Sequence, residues 1–202
     1  MEKARVGING FGRIARTIYR INKQLQMFDI VAINEINPDI NNVACLLQYD
    51  STYGRLDEKV TTDGNDMIVG NKKVRIYQHE NIKDVPWDDH EIDFIIDASG
   101  LRAHLERMES SPSKVKNTFV TNSPSDFDNF KTIVFGVNEN DTTIKDSRII
   151  STSICDTIAM SPIIVALSER NEIESGFLTT LPPMVKLSKP FGCNIGFLVT
   201  SR

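Results

Sequence analysis

Three groups of residues in this chain have types and spacings that could do chemistry. Gly10-x-Gly12-x-x-Ala15, between the apolar run Lys3 to Ile8 and an amphipathic one, fits a dinucleotide fingerprint. In such a turn one glycine makes the tight bend, another lets the backbone approach a pyrophosphate, and the small third residue lets helix pack on strand. The helix that starts there offers its free N–H groups and dipole to an anion. An ordinary strand-to-helix turn has the same glycines, so the context must decide. Glu35 ends an apolar run roughly twenty positions beyond the glycines, where a carboxylate can accept hydrogen bonds from ribose hydroxyls. Its charge would meet a 2′-phosphate, which favours NAD over NADP; the plainer reading is a loop carboxylate. Cys155 stands between Ile149-Ile150-Ser151 and a helical run continuing to about Arg170. A thiol at a helix N-terminus has its thiolate stabilised by the dipole and free amides, which suits a nucleophile.

The elements that must position these groups alternate. Lys3 to Ile8 reads as a strand, and Ile14, Ile18 and Ile21 recur at helical spacing through a segment ending near Lys23. Phe28 to Glu35 is a buried-type strand, Asn41 to Tyr49 a helix, and Asp50 to Leu56 a loop. Between Lys59 and Tyr77, extended runs are separated by Asp63-Gly64 and Gly70-Asn71, which is hairpin chemistry. Ile92 to Gly100 is a third buried strand ending in small residues, followed by an amphipathic stretch from Leu101 to about Glu109. Further strands are expected at Thr118 to Thr121, Thr132 to Phe135 and Arg148 to Ser151. The fold class that follows is α/β: a Rossmann-like, doubly wound and mostly parallel sheet with an antiparallel excursion, plus a fragment of a second α+β domain.

Composition narrows the partners. The 202 residues are 40% apolar, enough for one sizeable domain and part of another, and the net charge is −4 without a basic tract. Nucleic acid and anionic membranes are therefore not expected partners. No run reaches the length of a membrane span, and no signal-peptide core follows Met1-Glu2-Lys3-Ala4-Arg5, so the chain reads as cytoplasmic. Cys45, Cys155 and Cys193 are too scattered for a disulfide framework or zinc cluster, and no metal is expected. Cys45, among Val43, Leu46 and Leu47, reads as a small buried hydrophobe.

Taken together, Gly7 to Ile14, Ala32 to Glu35, Leu46 to Arg55, Phe135-Gly136-Val137-Asn138 and Ser151 to Pro162 resemble the glyceraldehyde-3-phosphate dehydrogenases, with erythrose-4-phosphate dehydrogenase as their near relative. The resemblance runs from Lys3 to Leu181. It implies NAD contacts at Asn9, Gly10, Phe11, Gly12, Arg13, Ile14, Asn34, Glu35, Ser99, Gly100 and Asn122. It also implies Cys155 as the nucleophile that attacks an aldehyde, giving a thiohemiacetal and, after oxidation, a thioester passed to phosphate or water. The implied organisation is an NAD-binding domain over 1–154 and the start of a catalytic domain over 155–181, with an aberrant tail over 182–202.

Two departures bear on activity. The family reads Ser-Cys-Thr-Thr-Asn around its cysteine, with the Ser and first Thr holding a phosphate; here the stretch is Ile154-Cys155-Asp156-Thr157-Ile158. The family's basic histidine follows the strand that Glu174 to Leu181 resembles, and here that place is Pro182. His79, His90 and His104 lie in the earlier domain and offer no replacement. Beyond Leu181 the strand-helix alternation is lost. One base removed after the Leu181 codon lets the tail read His-Pro-Trp-Leu-Ser-Tyr-Gln-Asn-Leu-Leu-Asp, so a shifted reading frame and a truncated product are expected. The expected function is NAD-dependent aldehyde oxidation, impaired in this chain. The alternatives are a non-catalytic NAD-binding module or a decayed gene product. Apolar surface along 157–170 and 173–181 is expected to drive homo-oligomer formation or self-association.

Overall fold

A computed structural model of the chain describes residues 3–101, 114–122, 130–141 and 147–180, and the backbone of 193–197. The chain divides into two compact units, Met1–Ile133 with Asp141–Ser153, and Val134–Asn140 with Ile154–Arg202.

The first unit is built on one nine-stranded sheet. Its strands are β1 (Ala4–Asn9), β2 (Phe28–Asn34), β5 (Val60–Asp63), β6 (Asp66–Val69), β7 (Lys72–Tyr77), β8 (Phe94–Asp97), β9 (Asn117–Val120), β10 (Lys131–Thr132) and β11 (Ile149–Ser151). Two more, β3 (Tyr49–Asp50) and β4 (Gly54–Arg55), form a separate antiparallel ladder across the last residue of the expected Asn41 to Tyr49 helix and the expected Asp50 to Leu56 loop. The order across the sheet is β10-β11-β9-β8-β1-β2-β7-β6-β5. From β7 through β11 this is the doubly wound order in which the chain reverses direction of travel beside its first strand. Those strands pair in parallel, and only β5-β6 and β6-β7 are antiparallel. The expected hairpin excursion is thus present, with Gly64 and Gly70 both at positive φ in its turns.

Helix α1 (Arg13–Leu25) follows β1, and α2 (Ile40–Gln48) follows β2. Alternate strand residues feed different apolar clusters: Val6 and Ile8 join one with Phe11, Ala15, Tyr19, Val43 and Leu47, while Ile95 and Ala32 join another with Trp87 and Ile149. Alternation in a strand sends neighbours to opposite faces, so the sheet is covered on both sides. Gly7 exists for the second face: a Cβ there would lie 2.6 Å from the Trp87 ring.

Helix α1 corrects the sequence reading of its inner face. Ala15 and Tyr19 are buried, whereas Ile14 and Ile21 are about half exposed. Arg20 is buried as well, and its Nη2 donates to the carbonyls of Leu47 at 2.7 Å and Gly54 at 3.0 Å. A cation there satisfies the free carbonyl end of α2. Cys45 is also corrected: it is exposed. Helix α2 buries Val43, Ala44, Leu47 and Gln48, which turns Cys45 and Leu46 outward. Gln48 goes inside because its amide binds the carbonyls of Leu56 and Glu58 and the Val60 N–H.

In the second unit, α3 (Cys155–Ser168) carries Pro162 in its interior and buries none of its residues. Strand β12 (Gly176–Thr180) pairs antiparallel with β13 (Cys193–Phe197), a strand within the tail beyond Leu181. The strand expected over Thr132 to Phe135 stops at Thr132, and Phe135 is exposed. The amphipathic stretch beyond Leu101, His104 and Pro182 lie outside the described residues.

Candidate functional site

The parallel strands of the first unit all deliver their C-terminal ends to one edge of the sheet. Glu35 follows β2, Gly10 to Ile14 follow β1, Ser99 and Gly100 follow β8, and Asn122 follows β9. Because the spatial order is β2-β1-β8-β9, these residues stand side by side along that edge. The β1-β8 boundary is where the winding reverses, and crevices for ligands form there in open α/β sheets.

At the centre, Gly10 has φ +81°, and a Cβ on it would come 2.6 Å from the Ser99 Cα. Only glycine meets both demands. Its N–H donates to the Asn34 carbonyl at 2.7 Å, which ties the turn to β2. The next residue, Phe11, is buried and packs edge-on against Tyr19 with ring centroids 6.0 Å apart. Phe11 therefore offers the site backbone only. Gly12 is the N-cap of α1; no side chain caps the helix and no acidic residue sits in its first turn. A Cβ on Gly12 would meet nothing within 4 Å. Gly12, Arg13 and Ile14 are exposed, so the uncapped amide end of α1 faces open space.

Glu35 lies closer to the glycine turn than the ribose reading alone suggests. Its Oε2 accepts the Phe11 N–H at 2.7 Å and its Oε1 accepts the Asn37 N–H at 3.1 Å. A carboxylate has about four acceptor sites, so both contacts leave capacity for hydroxyl donors.

Asn9 and Asn34 are placed differently from the exposed members. Both side chains are buried and form a polar chain across the strand ends. Asn9 Nδ2 donates to Asp97 Oδ1 at 2.9 Å, and Asn34 Nδ2 donates to Asn9 Oδ1 and to the His79 carbonyl, each at 2.8 Å. The His79 N–H returns to Asn34 Oδ1 at 2.8 Å. These side chains hold β8, β1, β2 and the segment after β7 in register. Asp97 is the member that sequence reasoning missed; it also accepts the Ser99 N–H at 3.1 Å, shaping the turn beside Gly10. A carboxylate closing the apolar run Phe94-Ile95-Ile96 was the available signal.

Asn122 stands at the end of β9 with its Oδ1 buried and without a hydrogen-bond partner, while its carbonyl accepts the Ser151 hydroxyl at 2.9 Å. A buried amide oxygen left unpaired costs about 1–3 kcal/mol, which a ligand donor would recover. Uncapped amides, an open Gly12 and this orphaned acceptor fit a phosphate-bearing ligand that also carries an amide or hydroxyl donor. Among the described residues, no group of three or more His, Cys, Asp or Glu is arranged to hold a metal ion, and no helix is long and apolar enough to cross a membrane.

The second unit holds Cys155 at the first position of α3, exposed, after Ile154 as an N-cap that brings no side-chain hydrogen bond. Its Sγ donates to Asp156 Oδ1 at 3.7 Å. Ser153, two residues earlier, has φ +66°, a left-handed conformation that costs a non-glycine residue about 1 kcal/mol or more.

A doubly wound sheet with a glycine turn, an uncapped helix start and an acidic residue after its second strand defines a Rossmann-type dinucleotide-binding domain. The sequence profile described as "Glyceraldehyde 3-phosphate dehydrogenase, NAD binding domain" matches residues 4–105. The chain belongs to the glyceraldehyde 3-phosphate dehydrogenase family. It is similar to glyceraldehyde-3-phosphate dehydrogenase 1 of Candida glabrata, 36% identical over 179 residues, which cover 88% of this chain and 52% of that protein. Glyceraldehyde-3-phosphate dehydrogenase of Thermotoga maritima is 34% identical over 180 residues, covering 88% and 53%. Glyceraldehyde-3-phosphate dehydrogenase 1 of Bacillus subtilis is 32% identical over 181 residues, covering 88% and 52%. The chain thus spans about half the length of the curated relatives it matches.

Proposed function

We propose that the β1-α1 turn of this chain binds NAD and that Cys155 is the nucleophile of an aldehyde oxidation, weak in the chain as it stands. The observation that carries the first part is the uncapped amide end of α1 beside an open Gly12, with Glu35 hydrogen-bonded to the Phe11 N–H. In this reading Gly12, Arg13 and Ile14 present backbone amides to a pyrophosphate, Gly10 and Phe11 shape the turn with their N–H groups held by the Asn34 carbonyl and the Glu35 carboxylate, and Glu35 meets the ribose. Ser99, Gly100 and Asn122 line the far side of the crevice, and Asn9 and Asn34 keep the strand ends in place. NAD, when bound, supplies a hydride acceptor.

The chain's own chemistry is at sulfur. Cys155 Sγ adds to an aldehyde carbon as its S–H proton is released to solvent, the carbonyl π pair moves to oxygen, and that oxygen takes a proton back from solvent, leaving a thiohemiacetal on the protein. After oxidation the acyl group goes to water or phosphate. Residues 1–154 are read as the NAD-binding domain, 155–181 as the start of a catalytic domain, and 182–202 as a tail from a shifted frame. A cytoplasmic setting fits the free thiols of Cys45 and Cys155.

A non-catalytic NAD-binding module is the second reading. It is favoured because the described histidines, His79 and His90, both belong to the first unit, and the place of the family's base is Pro182. Losing a general base costs about 10²- to 10⁴-fold in rate. The apolar residues of α3, none of them buried, further support self-association of this chain, measurable by light scattering. Calorimetric titration with NAD tests the cradle; heat of binding supports it, and none at millimolar NAD defeats it. Aldehyde-dependent NADH formation above a Cys155→Ala control supports the enzyme, and equal rates leave the binding module.

A further inference from the structure

The dinucleotide crevice takes the C-terminal ends of the parallel strands, and near their opposite ends the first unit has a second cavity. Its volume is about 230 Å³. Helix α1 supplies one wall through Tyr19 and Lys23, which share a helical face because they are four residues apart. Ile30 of β2, Val69 of β6, Lys72 of β7 and Glu58 line the rest.

Two buried polar side chains belong to this lining, and the fold has used only one of them. Asn22 is fully engaged: its Nδ2 donates to the Phe28 carbonyl at 2.8 Å, and its Oδ1 accepts the N–H groups of Met27 and Phe28 at 3.1 and 3.2 Å. Tyr19 is 6% exposed, yet among the described residues its hydroxyl has no hydrogen-bond partner. A buried phenol ordinarily has one. Burial, with the Glu58 charge adding to it, holds the Tyr19 pKa above its ordinary value, so the hydroxyl keeps its proton and stays a donor.

The surroundings of that donor define what it can meet. Ile30 and Val69 are buried and apolar. An apolar cavity of about 150 Å³ takes benzene, so this one has room for a single six-membered ring and a small polar group. Lys23 pairs with Glu58 at 2.6 Å and Lys72 with Asp29 at 2.7 Å. An ammonium has three donors, and one partner leaves two. Of the lining residues two are cations and one, Glu58, is an anion, so the surplus charge is positive.

We infer that this cavity is a second ligand site, separate from the dinucleotide crevice, which takes a small carboxylic acid carrying one ring. The ring lies against Ile30 and Val69, and the carboxylate accepts the Tyr19 hydroxyl within the field of Lys23 and Lys72.

Benzoate is the probe. It is titrated into the full chain while the Ile30 methyl signal is followed by NMR. The expected dissociation constant is on the order of 1 mM, as suits a ligand of about nine heavy atoms. Benzylammonium, of similar size and opposite charge, should bind at least about tenfold more weakly. Tyr19→Phe removes the hydroxyl alone and strands no partner, so the thermal midpoint should hold while benzoate affinity falls about tenfold. Lys72→Gln changes an exposed residue and should weaken benzoate about threefold. An Ile30 signal that does not move up to about 20 mM benzoate overturns the proposal. Unchanged benzoate affinity in Tyr19→Phe, or benzylammonium binding as tightly as benzoate, does the same. A Tyr19→Phe chain that loses its fold would give the hydroxyl a structural role and also defeat the inference. Neither NAD nor Cys155 enters the measurement, so its outcome is independent of the dehydrogenase reading.

Discussion

The Glu35 carboxylate accepts the backbone N–H of Phe11 at 2.7 Å, so the acidic residue after the second strand is pinned to the glycine turn after the first. One side chain thereby fixes the turn and presents negative charge beside it. Glu35→Gln separates the two roles, because the amide oxygen can still accept the Phe11 N–H while the charge is lost. Thermal unfolding should shift little, by under about 1 kcal/mol in stability. The preference for NAD over NADP should narrow by about tenfold, read from the two dissociation constants. A preserved preference would show that Glu35 is only a structural strut.

Gly10 and Gly12 lie two residues apart and should respond in opposite ways. Gly10→Ala puts a methyl group 2.6 Å from the Ser99 Cα at a positive φ, and should destabilise the fold by about 2 kcal/mol or more by denaturant titration. Gly12→Ala meets nothing within 4 Å, so its stability should hold to within about 1 kcal/mol. The same methyl occupies the space assigned to a pyrophosphate, and NAD affinity should fall at least about tenfold, or about 1.4 kcal/mol. Unchanged NAD affinity in a folded Gly12→Ala protein would move the ligand away from α1.

The chain from Asp97 through Asn9 and Asn34 to the His79 backbone predicts that charge matters more than size at Asn34. Asn34→Ala leaves Asn9 Oδ1 and the His79 N–H and carbonyl without their partners, at a cost of about 2–4 kcal/mol. Asn34→Asp keeps the shape but replaces a donor facing two oxygens with an acceptor. It should cost at least as much by urea denaturation at neutral pH. A benign Asn34→Asp would mean that the polar chain contributes little.

His90 accounts for a pH dependence of stability in the first unit. Its Nε2 is 2.6 Å from the Tyr77 hydroxyl, and its pKa lies below the ordinary 6.5. Burial is the main cause; Arg75 and Arg5 add to it, while Asp89 and Asp66 oppose it. The fold therefore favours neutral imidazole. The unfolded chain takes up a proton at higher pH than the folded one, so this contribution is complete above about pH 6.5 and is lost as pH falls through the folded value. Denaturant titrations at pH 7.5 and 5 should show the parent chain losing more stability than His90→Gln. Equal losses would assign the dependence to other groups.

How much the sequence reveals depends on the range of the interaction concerned. The glycine turn, the hairpin turns at Asp63-Gly64 and Gly70-Asn71, and the acid at the end of the second strand were legible because each is a local backbone demand met by neighbouring residues. The inward side of α2 was not. Val43 to Leu47 is one unbroken apolar run, which carries no phase, and the helix turned Cys45 out because Gln48 could satisfy three backbone groups of the segment after β4. Gly7 likewise reads as part of a fingerprint, and only packing shows that it makes room for Trp87, eighty residues away in sequence.

The sequence by itself determined the alternation of strands and helices, the dinucleotide turn and the family resemblance, since these rest on residue types at short spacing. Tertiary structure alone decided which of those residues keep polar groups unused by the fold. Phe11, Asn9 and Asn34 turn their side chains into the protein, while Gly12, Arg13, Ile14 and the orphaned Asn122 oxygen are the groups left to offer. The reason is that hydrogen bonds and packing between strands distant in sequence use up some polar and apolar groups and leave others unsatisfied, and no short stretch of chain carries that information.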